Sequence, residues 1–519
     1  MKLKALPNRL YNIIFHTHTV AGLLISALLY IIFFAGAFTL FKNDYFLWEH
    51  PELRQYEAVK PDFDKMIPEI SSRINNFDWE DETFIMLPSA EHPLIRIFGH
   101  VKKPGSDHEH VSLQYHPASD TYYEEENTTI GETLYRLHFL DQIPYAGRYI
   151  AGLVALFFLF TTFTGVLIHW KNILNKFTGF SLKGGLKQLW TSAHTVFGLL
   201  GLPFQIMYAV TGAFYLLSIL ILAPVVLLFF NGDREKAFEL VRPTEAVVSA
   251  YDPVPADDLH PLGEIMSGVE EQYPDYRLRF IQIKAYGRAD ALVHVSMERE
   301  DILAGEALLS YSLKDGSQLL EVLPGKNKGY KDSILNTMDR LHFGDYGGIF
   351  LRVIYFLLAL ITCFIIISGI LLWKAARNKN SYTPEQKRFH HRVTIFHLAV
   401  CLGLFPAVPV LFCAELLVPY TGSEHVFWVR TAFFISWLLF VLIGLLLKTE
   451  MRQTYTYLFL AGIGALAVPV VNGIQTGDWF WGSLAKGIYA VAVIDLCWLF
   501  TGILCLVLTG FCRKRYITG

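Results

Sequence analysis

Eight stretches of this chain are long and apolar enough to cross a lipid bilayer as helix, and they decide what it can become. They run roughly over 13–41, 146–170, 194–230, 348–373, 394–418, 427–447, 455–473 and 484–511. A helix of about 20 apolar residues spans the hydrocarbon core. Hydrophobic residues make up 53% of the 519, and the 18% that are charged collect between the runs. That balance departs from an ordinary soluble domain. A net charge of -3 says little about nucleic acid, and no basic tract is long enough to suggest it. The expected fold is a membrane all-α bundle with about eight transmembrane helices.

Basic residues mark every second boundary. Lys2, Lys4 and Arg9 precede the first run, Lys171, Lys176, Lys183 and Lys187 follow the second, and Lys374, Arg377, Lys379, Lys387, Arg388 and Arg392 follow the fourth. Lys448 and Arg452 follow the sixth, and Arg513, Lys514 and Arg515 come at the end. By the positive-inside rule these ends face the cytoplasm, so both termini are expected there. Ala35-Gly36-Ala37 resembles a signal-peptide cleavage site, but cleavage would remove a segment that matches the run at 194–230, so an uncleaved anchor is expected. The six cysteines all lie in or beside the runs and form no CxxC, which argues against exported disulfides, thiolate zinc sites and iron–sulfur clusters.

Two polar insertions, about 42–136 and 231–340, fall on the outer side in this topology. The first is acidic and ends near Glu124-Glu125-Glu126. Each reads as a helix followed by strands. The helices are expected at Asp62–Asn75 and Pro261–Gln272, and the strands at Phe84–Leu87, Leu94–Phe98, Val111–Tyr115, Arg277–Ala285, Ala291–Met297 and Ala307–Leu313. Lys314-Asp315-Gly316 is a hairpin signal. Each insertion is expected to form its own small α+β domain outside the membrane. The division is then 1–41 for the first span, 42–136 for the first domain and 137–230 for two spans. It continues with 231–340 for the second domain, 341–375 for the fourth span, and 376–519 for four further spans appended to the rest.

The first two spans recur as the third and fourth. His18-Thr19-Val20-Ala21-Gly22-Leu23-Leu24 returns as His194-Thr195-Val196-Phe197-Gly198-Leu199-Leu200, and Gly36-Ala37-Phe38 as Gly212-Ala213-Phe214. Arg136-Leu137-His138-Phe139 returns as Arg340-Leu341-His342-Phe343, and Gly165 matches Gly369. An internal two-fold repeat of this kind brings equivalent side chains toward one axis.

Imidazoles at membrane depth cost free energy unless satisfied, so they are functional candidates. A pair of them on facing helices can hold a b-type haem, whose iron takes one nitrogen from each side. The symmetric pairing sets His138 with His342 for an outer haem and His18 with His194 for an inner one. His169 falls where the second copy has Trp373, so either His169 or His397 can replace a member of the inner pair. His16, His390 and His391 read as solvated or interfacial. A zinc or copper site competes, but it wants carboxylate or thiolate partners that His18 and His194 lack in sequence. Arg148 and Arg352 recur at matched distances; they suit haem propionates or lipid headgroups, and both readings stand.

Thinner signals remain. His92, His100, His108, His110 and His116 crowd the first insertion. Asp107-His108-Glu109-His110 has the composition of a metal patch, though a solvated loop is the expected reading. Asp495 lies inside the eighth run, where it either carries protons or bonds a neighbouring helix.

The repeated His-x-x-x-Gly-Leu-Leu, Thr211-Gly212-Ala213, Leu341-His342-Phe343-Gly344 and Gly369-Ile370-Leu371-Leu372-Trp373 resemble the PepSY-associated transmembrane proteins, over about residues 10–375. The insertions are similar to PepSY domains, most visibly at Tyr311-Ser312-Leu313-Lys314-Asp315-Gly316. The resemblance implies an iron-regulated protein of the bacterial inner membrane. It further implies a b-haem ferrisiderophore reductase that passes electrons from the cytoplasmic side to periplasmic ferric chelates. It implies haem ligation by His18, His138, His194 and His342 without fixing the pairs, and His169 departs from the family's usual tryptophan.

No GxGxxG opens a helix and the cytoplasmic loops are too short for a nucleotide domain. The electron donor would be a separate reductase, a reduced flavin or a membrane quinol. Two other classes compete with this enzyme: a non-enzymatic PepSY module that binds a periplasmic partner, and a proton-coupled transporter built on Asp495.

Overall fold

The computed structural model describes all residues except 1–5, 57, 90–91, 103–108, 117–120, 125–128, 178, 180–184, 234–253, 257, 422 and 519. Lys2, Lys4, Lys183, Asp107, His108, Glu125 and Glu126 therefore lie outside the described residues. The chain divides into two units. The first comprises Met1–Arg54, Thr128–Ser218 and Ile349–Gly519, and the second Gln55–Asn127 and Ile219–Gly348.

In chain order the helices are α1 (Asn8–Thr39), α2 (Lys42–Glu49), α3 (Phe63–Arg73), α4 (Ile130–His138), α5 (Gly147–His169), α6 (Ile173–Phe177), α7 (Leu186–Leu200) and α8 (Leu202–Phe229). They continue with α9 (Leu262–Gln272), α10 (Tyr330–Phe343), α11 (Gly348–Ala376), α12 (Pro384–Leu417), α13 (Ser423–Leu446), α14 (Glu450–Thr476), α15 (Phe480–Ala485) and α16 (Tyr489–Thr518). The strands are β1 (Thr83–Met86), β2 (Ile95–Val101), β3 (Glu109–His116), β4 (Thr121–Glu124), β5 (Arg277–Lys284), β6 (Leu292–Glu298), β7 (Glu306–Ser312) and β8 (Gln318–Val322).

Among the described residues seven helices are long and apolar enough to cross a membrane. The expected third span is instead broken: α7 and α8 meet at a bend of 67°. Gly201 closes α7 by donating its N–H to the Phe197 carbonyl (2.9 Å). Pro203, two residues on, has no N–H with which to continue the ladder, and a proline beside a glycine is a standard cause of a sharp kink. The bend leaves His194 on the short arm.

Within the first unit α1 packs against α4 and α5, and α12 against α13, α14 and α1. The last four spans are no appendage. Arg54, just past α2, donates to Asn472 Oδ1, Thr476 Oγ1 and Asp478 Oδ2, each at 3.1 Å, and α16 packs against α2. A Thr383-Gln386 capping box starts α12. All six cysteines are free thiols.

The second unit corrects the expectation of two separate domains. Both insertions contribute to one antiparallel sheet of order β4-β3-β2-β1-β5-β6-β7-β8. The halves join where β1 pairs with β5, with Thr83 opposite Ile283 and Ile85 opposite Ile281. The reason is that neither half buries its own edge: four strands and one helix leave β1 or β5 open, and pairing the two closes both. Helices α3 and α9 cover one face. Phe63, Met66, Ile67 and Ile70 of α3 follow a helical spacing, as do Leu262, Ile265, Met266 and Val269 of α9. Both sets meet Ile85, Ile97, Ile281, Ile283, Val293 and Val295 from the strands. Each such side chain contributes about 1.5–3 kcal/mol on burial. The hairpin signal at Lys314-Asp315-Gly316 connects β7 to β8, and Gly316 has the positive φ (72°) that such a turn requires. The short strands β4 and β8 are additions that the sequence pattern did not reveal.

Candidate functional site

In the first unit His18 of α1 and His194 of α7 stand together, with ring centres 6.4 Å apart and ring planes at 80°. A neighbouring helix anchors each ring in the same way. His18 Nδ1 lies 3.0 Å from the Thr161 carbonyl and 3.2 Å from Thr164 Oγ1, both on α5. His194 Nδ1 lies 3.0 Å from the Ile365 carbonyl and 3.2 Å from Ser368 Oγ, both on α11. A carbonyl only accepts, so each Nδ1 carries the proton and donates it. The lone pair of each neutral ring is then on Nε2.

Glycine makes room for both rings. A Cβ at Gly165 would come within 3.3 Å of His18, and one at Gly369 within 3.1 Å of His194. Thr164-Gly165 and Ser368-Gly369 are thus a hydroxyl-glycine pair used twice. The hydroxyl precedes the glycine in both copies, so the pair is a feature of the sequence as well as of the fold.

His138, the last residue of α4, is held by the same device. Its Nδ1 donates to the Ile32 carbonyl of α1 at 2.8 Å, and a Cβ at Gly36 would come within 2.6 Å of the ring. Loss of surrounding water lowers the pKa of this imidazole, while the bond to Ile32 raises it less, so the ring is neutral near pH 7. His342 belongs to the second unit. It is the next-to-last residue of α10, with its ring 5.4 Å from that of Phe343.

The two proposed substitutes for the inner pair behave differently. His169 uses Nε2, which lies 3.3 Å from Thr195 Oγ1 on α7. His397 turns Nδ1 back to the Val393 carbonyl of its own helix at 2.8 Å. His390 packs edge-on against Trp373 (5.0 Å) and Tyr382 (5.4 Å), and His391 lies 3.1 Å from the Lys448 carbonyl.

The repeated arginines already have carboxylates. Arg148 Nε lies 2.9 Å from Asp141 Oδ1, with its guanidinium over the Phe139 ring at 4.9 Å. Arg352 Nη1 lies 2.5 Å from Asp44 Oδ2. In the second unit the buried Arg340 meets Glu298 and Asp345, each at 3.3 Å. Among the described residues no three His, Cys, Asp or Glu side chains converge as metal ligands.

Asp495 is fully enclosed and bonded. Trp48 Nε1 donates to its Oδ1 at 3.0 Å and Asn472 Nδ2 to its Oδ2 at 2.8 Å. Of its two expected roles, the structure shows the bond to neighbouring helices. Trp48, Arg54 and Asn472 were missed by sequence reasoning, since their partners lie more than four hundred residues away or in a loop.

Among the described residues, seven long apolar helices define a multi-pass membrane protein that lives in a lipid bilayer. Residues 15–375 match the PepSY-associated TM region, and the chain belongs to that family. Uncharacterized protein PA4219 of Pseudomonas aeruginosa is 24% identical over 364 residues, which cover 66% of this chain and 86% of that protein.

Proposed function

We propose that this protein is a b-haem oxidoreductase of the bacterial inner membrane that passes electrons across the bilayer to ferric chelates such as ferrisiderophores. One observation carries the reading: His18 and His194 are anchored alike through Nδ1 and stand 6.4 Å apart between ring centres. Two imidazoles bound to opposite sides of one metal ion need two bonds of about 2 Å plus about 1 Å within each ring, or about 6 Å between centres. Bonding Nδ1 to a carbonyl while Nε2 takes the metal is the usual outer-shell arrangement of a ligating histidine.

Haem b bound here would supply one-electron iron chemistry. The chain's own groups do the rest. Thr161, Thr164, Ile365 and Ser368 fix the tautomer and orientation of the two rings, and Gly165 and Gly369 let the helices approach them. His138 and His342 would hold further haem, the former oriented by the Ile32 carbonyl. His169 bonds to Thr195 beside His194 and is read as a neighbour of the inner pair. The matched contacts support an internal two-fold repeat in the membrane unit. The basic boundaries support cytoplasmic termini and insertions on the periplasmic side. The electron donor is then a cytoplasmic reductase, a reduced flavin or a membrane quinol. The bonds from Trp48 and Asn472 support a structural role for Asp495 over the proton-transport reading.

The test is purification from haem-replete cells. The expected result is a b-type Soret band and reoxidation of dithionite-reduced protein by a ferric siderophore. His18→Ala and His194→Ala should each lose the same part of the haem. Absence of any Soret band, or spectra unchanged in both variants, overturns the proposal.

A further inference from the structure

The histidines of the first insertion are absorbed by none of the foregoing, and the fold changes their meaning. Residues 109–116 form strand β3, and its register with β2 places His110 directly opposite His100. The two rings lie side by side, 5.4 Å between centres with planes at 61°. His100 Nδ1 stands 3.0 Å from Asp81 Oδ2. All three residues belong to the second unit.

From this geometry we infer that His100 and His110 form a cross-strand clip for a divalent first-row transition-metal cation, with Asp81 orienting His100. Two imidazoles on a single tetrahedral ion, each with a bond of about 2.0–2.1 Å, place their ring centres about 5 Å apart. The pair already has that spacing. Imidazole suits zinc, copper, nickel and iron among such cations. A carboxylate on Nδ1 leaves Nε2 as the ligating nitrogen and raises its basicity, as in carboxylate–histidine–metal arrangements.

The site is reachable. The His100 side chain is 32% exposed, Asp81 40%, and His110 lies on the surface. Two protein ligands leave the remaining positions to water, so affinity is modest and exchange with a chelator is fast. A sheet is a rigid mount for such a clip, because the register that fixes the pair also fixes the buried face behind it: Ile97 opposite Leu113 faces α3 and α9. The inference is independent of haem, which is placed on other residues.

The experiment is calorimetric titration of the purified full-length protein in detergent with zinc chloride, after chelator treatment and dialysis. One site with a micromolar Kd is expected. His100→Ala and His110→Ala should each weaken it by at least tenfold, and Asp81→Asn by about tenfold or more. His116→Ala, at the other end of the same strand, should leave it unchanged. Cupric ion in place of zinc should show nitrogen coupling from two imidazoles by electron paramagnetic resonance. Circular dichroism of the four variants guards against misfolding, and His100→Gln supplies a second probe if the alanine variant does not fold. No binding up to millimolar zinc overturns the inference, as does an affinity that none of the His100 and His110 variants alters.

Discussion

Trp48 donates its indole N–H to Asp495 across 3.0 Å, joining residues 447 positions apart. Both side chains are fully enclosed. Asp495 takes a second bond from Asn472, whose own oxygen accepts from Arg54 and whose nitrogen also reaches the Asp478 carbonyl. Asn472 therefore cannot flip to suit a new neighbour. Asp495→Asn would set an amide donor against the Asn472 donor and lose one charge-assisted bond, at a cost of about 1.5–3 kcal/mol. The expected result is a lower melting temperature in detergent with an unchanged haem spectrum. Retained stability with lost activity would instead assign Asp495 to chemistry.

Glycine size at the imidazoles should grade the response. A methyl at Gly36 would enter the His138 ring at 2.6 Å, whereas one at Gly369 would touch His194 at 3.1 Å. An aromatic ring cannot fold away as a flexible chain end can. Gly36→Ala should break the bond to Ile32 and shift or abolish the signal that depends on His138. Gly369→Ala should cost less, as a spectral shift without loss. Low-temperature absorption and haem content per chain check the order.

Acid should weaken the polar knot near Arg54. Burial alone would raise the pKa of Asp478, but the Lys486 ammonium and the Arg54 guanidinium outweigh it and hold the carboxyl below the usual range. A depressed folded value means that the contribution to stability is complete above about pH 4, where an unfolded aspartate is ionised. It is lost as pH falls through the folded value. The gap in melting temperature between the native protein and Asp478→Asn should be constant from pH 7 to pH 5 and narrow below that. Arg54→Met leaves Asp478 facing Lys486 alone and the Asn472 oxygen with only the Thr476 hydroxyl as donor, and should cost about 3–5 kcal/mol.

The shared sheet predicts shared fate. Ile281→Asp places a charge among Ile85, Ile283 and Val293, where it has no partner. Limited proteolysis should then cut both insertions, not only the second. Cleavage confined to residues after 231 would contradict the pairing of β1 with β5.

Much of this architecture is legible in the sequence. Runs of apolar residues located the spans, and alternation located six of the eight strands to within a few residues, because each signal is local. The joining of the insertions was not legible, since β1 and β5 pair across nearly two hundred residues. The bend after His194 was half visible in Gly201 and Pro203, yet prolines 406 and 409 sit inside an unbroken α12. A proline alone does not say whether neighbouring helices will absorb the missing bond. For the site, the repeated motif picked out His18 and His194, while their anchors Thr161 and Ile365 act through backbone carbonyls and leave no mark in side-chain identity.

Because β1 finds its partner only in β5, the chain acquires a timetable. The first four strands are made long before the fifth, and until then β1 offers a naked flank to any extended peptide nearby. Two further membrane spans, α5 and the bent α7–α8, must be threaded before that flank is sheltered. Slowing synthesis between residues 128 and 276 should lengthen this vulnerable interval.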